Sequence, residues 1–303
     1  MIPTIENLTS LNIESNMKTT NTLIDDIYDL VKFKSPDKSV DAEQIIDDFG
    51  EACKDLMRKE FTQRGRFDAR KLRMSNIGKT DRFLWNHYNN VGPKEKMQPH
   101  TLVKFMYGHL IEEMLLLFVR LAGHTVTHEQ AQATVQGISG SMDCKIDGVV
   151  TDVKSASSYG FKKFKDASLA FDDPFGYIDQ IKGYARSEGE TQVGWLAMDK
   201  ANGHLTYLKY DLEDKQAPVY EVLKKDIEDR IIHVKEMVQQ KEPPPLCHDT
   251  VPDGKSGNKK LAMGCSYCHF KHACYPKLRT FLYSTGPRYL TEVVNEPKVQ
   301  EIT

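Results

Sequence analysis

The sequence predicts a mixed α/β fold, in which helices flank a mixed central sheet. Apolar residues recur at helical spacing through the first 70 residues and again over Leu102–Leu121, Phe175–Ser187 and Val219–Gln240. Between these helices, extended runs come in pairs around short turn sequences, which is typical of β-hairpins. The resulting order of elements, α, β, β, β, α, β, β, α, indicates a sheet covered by helices.

The composition is that of a globular protein and excludes several classes. The chain has 303 residues, of which 40% are hydrophobic and 28% are charged, so it is neither disordered nor collagen-like. Its longest apolar run, Met114–Val119, is far shorter than the roughly 18 to 20 residues that cross a bilayer. Because the N-terminus has no secretory signal, we expect a cytoplasmic protein whose six cysteines are metal ligands or buried thiols.

The first 70 residues are predicted to be helical. One helix covers Leu23–Val31, and a second covers Asp41–Met57 with its apolar residues on one stripe. The charged segment Arg64–Lys71 is predicted to be a connector. Ser75 is expected to cap a short helix.

The predicted hairpins follow the long helix Leu102–Leu121. Ser141–Ile146 and Val149–Lys154 flank Asp147-Gly148, a dipeptide that favours a tight turn. The second predicted hairpin consists of Val193–Met198 and His204–Tyr210. After the helix Val219–Gln240, three prolines begin a segment that is rich in Gly, Lys and Cys and ends in a polar tail.

Three acids are placed where metal chemistry needs them. Glu112 lies on the long helix, while Asp143 and Asp152 lie on the two strands of the first hairpin. Two close carboxylates repel unless a cation lies between them, and Mg²⁺ prefers oxygen ligands. Lys154 shares a face with Asp152 and is placed to orient or deprotonate a water. The alternative is that both aspartates are ordinary strand charges paired with Lys145 and Lys154.

Four motifs in order resemble those of the PD-(D/E)XK nucleases, specifically the RecB-like branch. The matches are Gly108 with Glu112 on a helix, Asp143 on a strand, Asp152-Val153-Lys154 on the next strand, and Gln180 with Tyr184 on a later helix. Met142 stands where the signature proline would be. Glu112 replaces the histidine common in RecB-like members and is more similar to the phage lambda-type exonucleases; Glu113 is an adjacent alternative.

The resemblance implies a restriction-endonuclease-like core that hydrolyses phosphodiester bonds. It implies that Glu112, Asp143 and Asp152, with the carbonyl of Val153, bind one or two Mg²⁺ or Mn²⁺ ions. Lys154 would assist the attacking water, and Gln180 and Tyr184 would contact DNA or brace the site. We expect an N-terminal helical region (1–73), the nuclease core (74–240) and a cysteine-rich, metal-tied segment with a tail (241–303).

Three cysteines near the C-terminus have the spacing of metal ligands. Cys265, Cys268 and Cys274 form C-x2-C-x5-C, and close thiolates fold readily around one soft metal centre. Tetrahedral zinc or an iron–sulfur cluster needs a fourth ligand. Cys247, 18 residues before Cys265, and the distant Cys53 are the candidates.

RecB-like nucleases of the CRISPR-associated and AddB types carry a similar cysteine trio, and this resemblance implies a 4Fe-4S cluster. Thr80 stands near the place where their upstream cysteine falls, so Cys247 is expected to replace that ligand. Zinc is the alternative, with His248, His269 or His272 as further ligands. Either metal would order the segment and hold it beside the core.

Basic residues concentrate in Gly254–Arg279, which contains six Lys or Arg and no acid although the net charge of the chain is −2. This segment is expected to act as a clamp on phosphates. Its aromatic residues Tyr267, Phe270 and Tyr275 would stack on unpaired bases or form a small local core. A second basic patch is Phe161–Lys165.

These features predict a DNA nuclease, and the resemblance favours an exonuclease in recombination, repair or phage genome processing, located in the host cytoplasm if phage-encoded. The expected partners are DNA, as single strands or duplex ends, and a helicase or recombination protein. The alternatives are an endonuclease or nickase of the same fold, a noncatalytic DNA-binding module with a structural metal cluster, and a zinc-ribbon interaction protein.

Overall fold

The computed structural model describes residues 18–62, 71–92 and 99–302. Its first four helices are α1 Leu23–Phe33, α2 Ala42–Thr62, α3 Asp81–Tyr88 and α4 Pro99–Leu121. They agree with the helical periodicity of the sequence. Most of the predicted connector Arg64–Lys71 lies outside the described residues.

A five-stranded mixed sheet forms the centre of the molecule, which confirms the predicted fold class. Its strands are β1 Val126–Thr127, β4 Cys144–Ile146, β5 Val149–Ala156, β6 Gln192–Asp199 and β7 Leu205–Asp211, in that spatial order. Strands β5 and β6 are parallel, and the other neighbours are antiparallel. Between β1 and β4, the chain forms a separate hairpin of β2 Gln132–Val135 and β3 Ile138–Ser141.

Each face of this sheet is covered by its own helices. The crossover between β5 and β6 contains α5 Ser158–Lys165 and α6 Tyr177–Glu188, which pack with α8 Ile227–Met237 on the face that presents Trp195. Helices α1 and α4 cover the face that presents Leu196. Because side chains alternate along β6, these two neighbours bury their side chains in separate cores.

The first hairpin forms as the sequence predicts. Asp147 and Gly148 both have positive φ, 48° and 83°, as the two central residues of a type I′ turn require. The expectation that Asp143 lies within the first strand is wrong, because β4 begins at Cys144. The backbone at 142 and 143 bonds instead to the preceding loop, with Met142 N donating to Ala131 O at 2.9 Å.

Two predicted helices differ from the structure. Ser75 lies inside a 3-10 turn, Met74–Asn76, and it is Thr80 that precedes α3, without a side-chain cap. The predicted helix Val219–Gln240 is two helices, α7 Tyr220–Leu223 and α8, because Asp226 accepts a hydrogen bond from Glu228 N and starts a new helix.

The C-terminal segment folds as a second five-stranded sheet that the sequence did not reveal. Its strands are β8 Val251–Pro252, β9 Lys259–Lys260, β10 Arg279–Tyr283, β11 Gly286–Glu292 and β12 Glu301–Ile302, in the order β12-β10-β11-β9-β8. Two short helices, α9 Met263–Ser266 and α10 Lys271–Cys274, separate β9 from β10. The buried Phe281 and Leu290 lie on its two longest strands.

None of the helices in the described ranges has the length and apolar character needed to cross a membrane.

Two glycines bring the turn before α3 against the start of α6. A Cβ at Gly78 would lie 2.5 Å from Gly176 O and 2.6 Å from Gly176 Cα. Both partners are backbone atoms, so neither can rotate away. Gly176 also has a φ of 79°, which favours glycine.

We therefore expect Gly78→Ala to lower the free energy of unfolding by about 1–3 kcal/mol, since an added methyl must displace main chain. Gly50→Ala is the matched control. Gly50 lies inside α2, and a methyl group added there would have nothing within 4 Å, so this change should stabilise the protein by about 0.5–1 kcal/mol. Urea titration of both variants measures the two effects, and equal midpoints would contradict the close approach.

Candidate active site

Two aspartates meet beside the open end of the first hairpin. The antiparallel register pairs Cys144 with Thr151, and continuing it by one residue places Asp143 opposite Asp152. Asp152 is buried, with 1% of its surface exposed, and Asp143 is half-buried. Asp143 Oδ2 accepts a hydrogen bond from Val153 N at 2.8 Å, which holds this carboxylate against β5.

The pKa values of both aspartates show that they are crowded. Burial raises the pKa of Asp143 well above its usual range, and the charge of Asp152 raises it further. Burial also raises the pKa of Asp152, although Lys154 opposes that shift. The charge of Glu112 contributes to raising both pKa values, so this third acid lies close enough to act on the pair.

The structure separates Glu112 from Glu113, which the sequence could not. Glu112 acts on the aspartate pair and lies 3.9 Å from His109 Nδ1. The charge of Glu113 adds to the effect of burial in raising the pKa of the Cys53 thiol. Glu113 therefore lies on the side of α4 that meets Cys53. Successive residues on a helix point about 100° apart, which accounts for the difference.

Lys154 completes the site and remains charged in it. Its Nζ lies 2.7 Å from Asp152 Oδ2 and 5.3 Å from the centre of the Tyr177 ring. Burial alone would lower the pKa of Lys154, but the two aspartates outweigh burial and raise it. The alternative pairing of Asp143 with Lys145 does not occur, since Lys145 Nζ binds Glu188 and Glu190 at 2.9 and 3.0 Å.

Helix α6 braces the site from the face of the sheet opposite to the one that α4 covers. Gln180 Nε2 lies 3.4 Å from Asp152 Oδ1 and 3.3 Å from Tyr184 Oη. Tyr184 is 1% exposed, and burial raises its pKa to about 12. Of the two roles expected for these side chains, the burial of Tyr184 therefore favours bracing over contact with a ligand.

Tyr177 is a site residue that sequence reasoning missed. Its ring lies beside Lys154, and burial raises the pKa of its hydroxyl. The signal was present, since Tyr177, Gln180 and Tyr184 stand at positions i, i+3 and i+7 and share one helical face.

The donor chemistry of the acidic site fits a hard divalent cation. Asp143 faces Asp152, and the charge of Glu112 acts on both. Asp152 Oδ2 is buried without a well-oriented hydrogen-bond donor although it is ion-paired to Lys154. Within 18–62, 71–92 and 99–302, no group of three or more His, Cys, Asp or Glu side chains is already arranged as a metal site.

Four of the six cysteines lie near one another. Burial, together with the negative charges of Cys247 and the other two members of the C-x2-C-x5-C pattern, raises the pKa of Cys265 to about 11. Phe270 N donates to Cys268 Sγ at 3.4 Å, and Asn86 Nδ2 donates to Cys274 Sγ at 3.7 Å. The thiols thus lie at one end of α9 and α10 and fit a soft metal by donor type.

The structure favours Cys247 over Cys53 as the fourth thiol. Cys247 acts on the pKa of Cys265 and lines the same cleft, whereas Cys53 is half-buried on α2 beside Glu113. Among the histidines, His269 packs against the Phe83 ring with centroids 5.3 Å apart. His248 lies beside the residue before Cys265, since a Cβ at Gly264 would lie 2.8 Å from its Nε2.

The basic segment Gly254–Arg279 is largely engaged in its own sheet, so the expectation of a free phosphate clamp is wrong for most of its cations. The ion pairs are Lys259–Glu292 at 2.8 Å, Lys260–Asp253 at 3.4 Å, Arg279–Glu296 at 2.5 Å and Arg279–Glu301 at 2.6 Å. The Lys271 side chain is buried, with its Nζ 3.4 Å from Ser266 O and from Cys268 O. The acids that supply the counter-charge flank the segment in sequence, with Asp253 before it and Glu292, Glu296 and Glu301 after it.

The three aromatic residues of that segment divide between two roles. Phe270 is buried in a local core, and Tyr275 Oη lies 3.3 Å from His248 O. Tyr267 is 73% exposed and lines the cleft. In the second basic patch, Lys163 Nζ lies 2.7 Å from Asp172 and also lines the cleft, while Phe161 and Phe164 are buried.

One cleft of about 1020 Å³ connects the two constellations. Glu112 and Lys154 line it, and so do Cys247 and Cys265. Asp143 and Asp152 are not among its lining residues, so a ligand in this cleft would meet the acidic site through Glu112 and Lys154.

No protein-family model matches the chain, and no curated protein matches it. Among solved structures, the alkaline exonuclease LHK-Exo of Laribacter hongkongensis is 12% identical, with a TM-score of 0.38 over 56% of this chain and 91% of that chain. A phage-related exonuclease of Haemophilus somnus 129PT is 13% identical, with a TM-score of 0.38 over 55% and 93%. SSO0001 is 12% identical, with a TM-score of 0.37 over 74% and 95%. These values are too low to transfer an activity to this chain.

Asp143→Asn should stabilise the metal-free protein at neutral pH. Because the pKa of Asp143 is raised on folding, its ionised form costs stability once the pH rises above the usual carboxyl pKa. Asparagine keeps an oxygen for Val153 N and removes the charge. We expect a melting temperature in EDTA at least about 2 °C higher, which corresponds to about 1 kcal/mol.

Mn²⁺ should raise the melting temperature of the wild type but not of Asp143→Asn, because a ligand stabilises only the protein that binds it. Glu112→Gln should lose this Mn²⁺ effect as well, and Glu113→Gln, its neighbour on α4, should keep it. An Mn²⁺ shift that survives in Asp143→Asn, or is lost in Glu113→Gln, would contradict the placement of the cation.

Cys268→Ser should remove bound metal and lower the melting temperature, because metal binding contributes to folding free energy. Cys53→Ser, which alters a half-buried thiol away from the cluster, should leave both quantities unchanged. Elemental analysis of anaerobically purified protein measures iron and zinc in each variant. Equal metal content in Cys268→Ser and the wild type would refute the assignment of this ligand.

Proposed function

We propose that this chain is a divalent-cation-dependent deoxyribonuclease of the PD-(D/E)XK superfamily, acting as an exonuclease on DNA. The observation that carries the proposal is that Asp143 faces Asp152 beside Lys154, and that Lys154 and Glu112 line an open cleft. A buried pair of like charges costs stability, and this pair is in contact with a residue that a ligand in the cleft can reach, Lys154.

In this proposal the three carboxylates, with the Val153 carbonyl, hold one or two Mg²⁺ or Mn²⁺ ions. When bound, such an ion neutralises charge on the phosphate and makes a bound water more acidic. The ammonium of Lys154 lies beside the acids, where it orients the attacking water and faces the charge that develops on the phosphate. Gln180 holds Asp152 in position, and Tyr184 supports Gln180 from the core.

The charge of the cleft supports a polyanionic substrate. Among the described residues that line it, seven are Lys or Arg and two are Asp or Glu. The cations are Lys79, Arg82, Lys104, Lys154, Lys163, Lys200 and Lys271, and the acids are Glu112 and Asp172. Since the chain as a whole is slightly acidic, this local excess is what a nucleic-acid backbone would be attracted to.

The cysteine cluster has a structural role in the same proposal. Cys247, Cys265, Cys268 and Cys274 would hold a 4Fe-4S cluster, with zinc as the alternative, and this would tie the second sheet to the core. We place the enzyme in recombination, repair or phage genome processing, where a helicase or recombination protein would supply its substrate.

Cleavage of matched linear and covalently closed circular DNA with Mn²⁺ tests the activity. We expect the linear form alone to be degraded, and Asp152→Asn and Lys154→Ala to lose at least about 100-fold in rate, because each removes a group that stabilises the reacting charge. Lys209→Ala is the matched control. It removes an exposed lysine on β7 that is not among the residues lining the cleft, so the activity should remain.

The two alternatives give different results in this assay. Cleavage of both DNA forms would replace the exonuclease with an endonuclease or nickase. Binding of DNA without cleavage under Mg²⁺ or Mn²⁺ would replace the enzyme with a DNA-binding module. Wild-type turnover in Lys154→Ala would overturn the assignment of the active site.

A further inference from the structure

Two exposed tyrosines line the same cleft, one from the helix after β5 and one from the cysteine-rich segment. Tyr159 lies on α5, directly after the strand that carries Asp152 and Lys154, and it is 65% exposed. Tyr267 lies between α9 and α10 in the cysteine-rich segment and is 73% exposed. Both line the cleft. Because both rings are exposed within one cleft, each is available to contact a ligand there, and such a contact would bury apolar surface.

Further aromatic rings lie close to ammonium groups that line the same cleft. The Tyr177 ring lies beside Lys154, and its centre is 5.5 Å from that of Phe175. Lys79 Nζ lies 4.8 Å from the Phe175 ring centre, and Phe175 is 41% exposed. Each of these rings is thus paired with a cation, as Tyr159 is with Lys163 at 5.4 Å.

This pattern matches the chemistry of an unpaired nucleic-acid strand. A ring stacks on the face of a base, and in a duplex those faces are already covered by neighbouring base pairs. Ammonium groups beside the rings meet the phosphates that alternate with the bases along the strand. A duplex would use the cations but leave the exposed rings without partners.

We propose that Tyr159 and Tyr267 are base-stacking residues, which hold a single DNA strand across the cleft and lead it to the acidic centre. This inference rests on the proposed function for the identity of the strand as substrate. It makes unpaired DNA the preferred ligand of the cleft, with the core supplying one stacking ring and the cysteine-rich segment the other.

The test is equilibrium binding of the full chain in EDTA, where no cleavage occurs, measured by fluorescence anisotropy. The probes are a dye-labelled oligothymidylate of about 20 nucleotides, the same backbone with abasic sugars in place of its central nucleotides, and a blunt duplex of equal length. The variants are Tyr159→Leu and Tyr267→Leu, with Tyr159→Phe and Tyr267→Phe to restore the ring. Phe33→Leu is the control, because Phe33 is 61% exposed beside a lysine on α1 and does not line the cleft.

We expect each leucine variant to bind the oligothymidylate about tenfold more weakly. The phenylalanine variants and Phe33→Leu should bind as the wild type does. The abasic strand should bind more weakly to the wild type. The leucine substitutions should then weaken its binding little further, because removing the base and removing the ring abolish the same stacking interaction. A structural role for the tyrosines would weaken binding of both strands equally.

Three results would overturn the inference: leucine variants with wild-type affinity, equal binding of abasic and normal strands, or tighter binding of the duplex. Because no step in this assay needs cleavage, failure of the stacking site leaves the nuclease proposal standing. Conversely, a protein that shows the tyrosine-dependent binding but never cleaves DNA refutes the nuclease and keeps the strand-binding cleft.

Discussion

The enforced proximity of Asp143 and Asp152 is the constraint on which the rest of the site depends. A two-residue turn sets the register of β4 and β5, and that register leaves no freedom in which residues face each other. Burial then makes the two charges expensive to keep. Lys154 and Gln180 contact Asp152, and Val153 N contacts Asp143, so each neighbouring group offsets part of this repulsion. The repulsion that they leave uncompensated is what a bound cation would relieve under the proposed function.

Helices cover both faces of the central sheet, and this explains how residues far apart in the sequence reach the aspartate pair. Helix α4 approaches from one face and brings Glu112, while α6 approaches from the other and brings Gln180. Both helices are anchored by apolar residues in separate cores, so neither depends on the acids for its position. The contact between Gly78 and Gly176 holds the start of α6 against the turn before α3. The packing of these elements thus offsets the free energy that the close like charges of the site cost.

The cysteine-rich segment is part of a folded sheet and is not a free basic arm. Acids on β11 and near β12 neutralise Lys259 and Arg279, so these cations stabilise the segment itself. The segment contributes to the cleft mainly through its thiols and the exposed Tyr267. Local charge along a sequence is therefore a poor guide to surface potential when the counter-charges lie on neighbouring strands outside the basic segment.

The sequence by itself determined the mixed α/β class and the turn of the first hairpin, because these depend on local periodicity and turn chemistry. Asp147-Gly148 predicts its turn from residues in direct succession, and Gln180 and Tyr184 share a face by spacing alone. Only the tertiary structure brought Glu112 to where its charge acts on the two aspartates, grouped Cys247 with the other thiols, and built the sheet after residue 250. Those outcomes depend on which elements pack together, and contacts between residues far apart in the chain leave no local pattern to read.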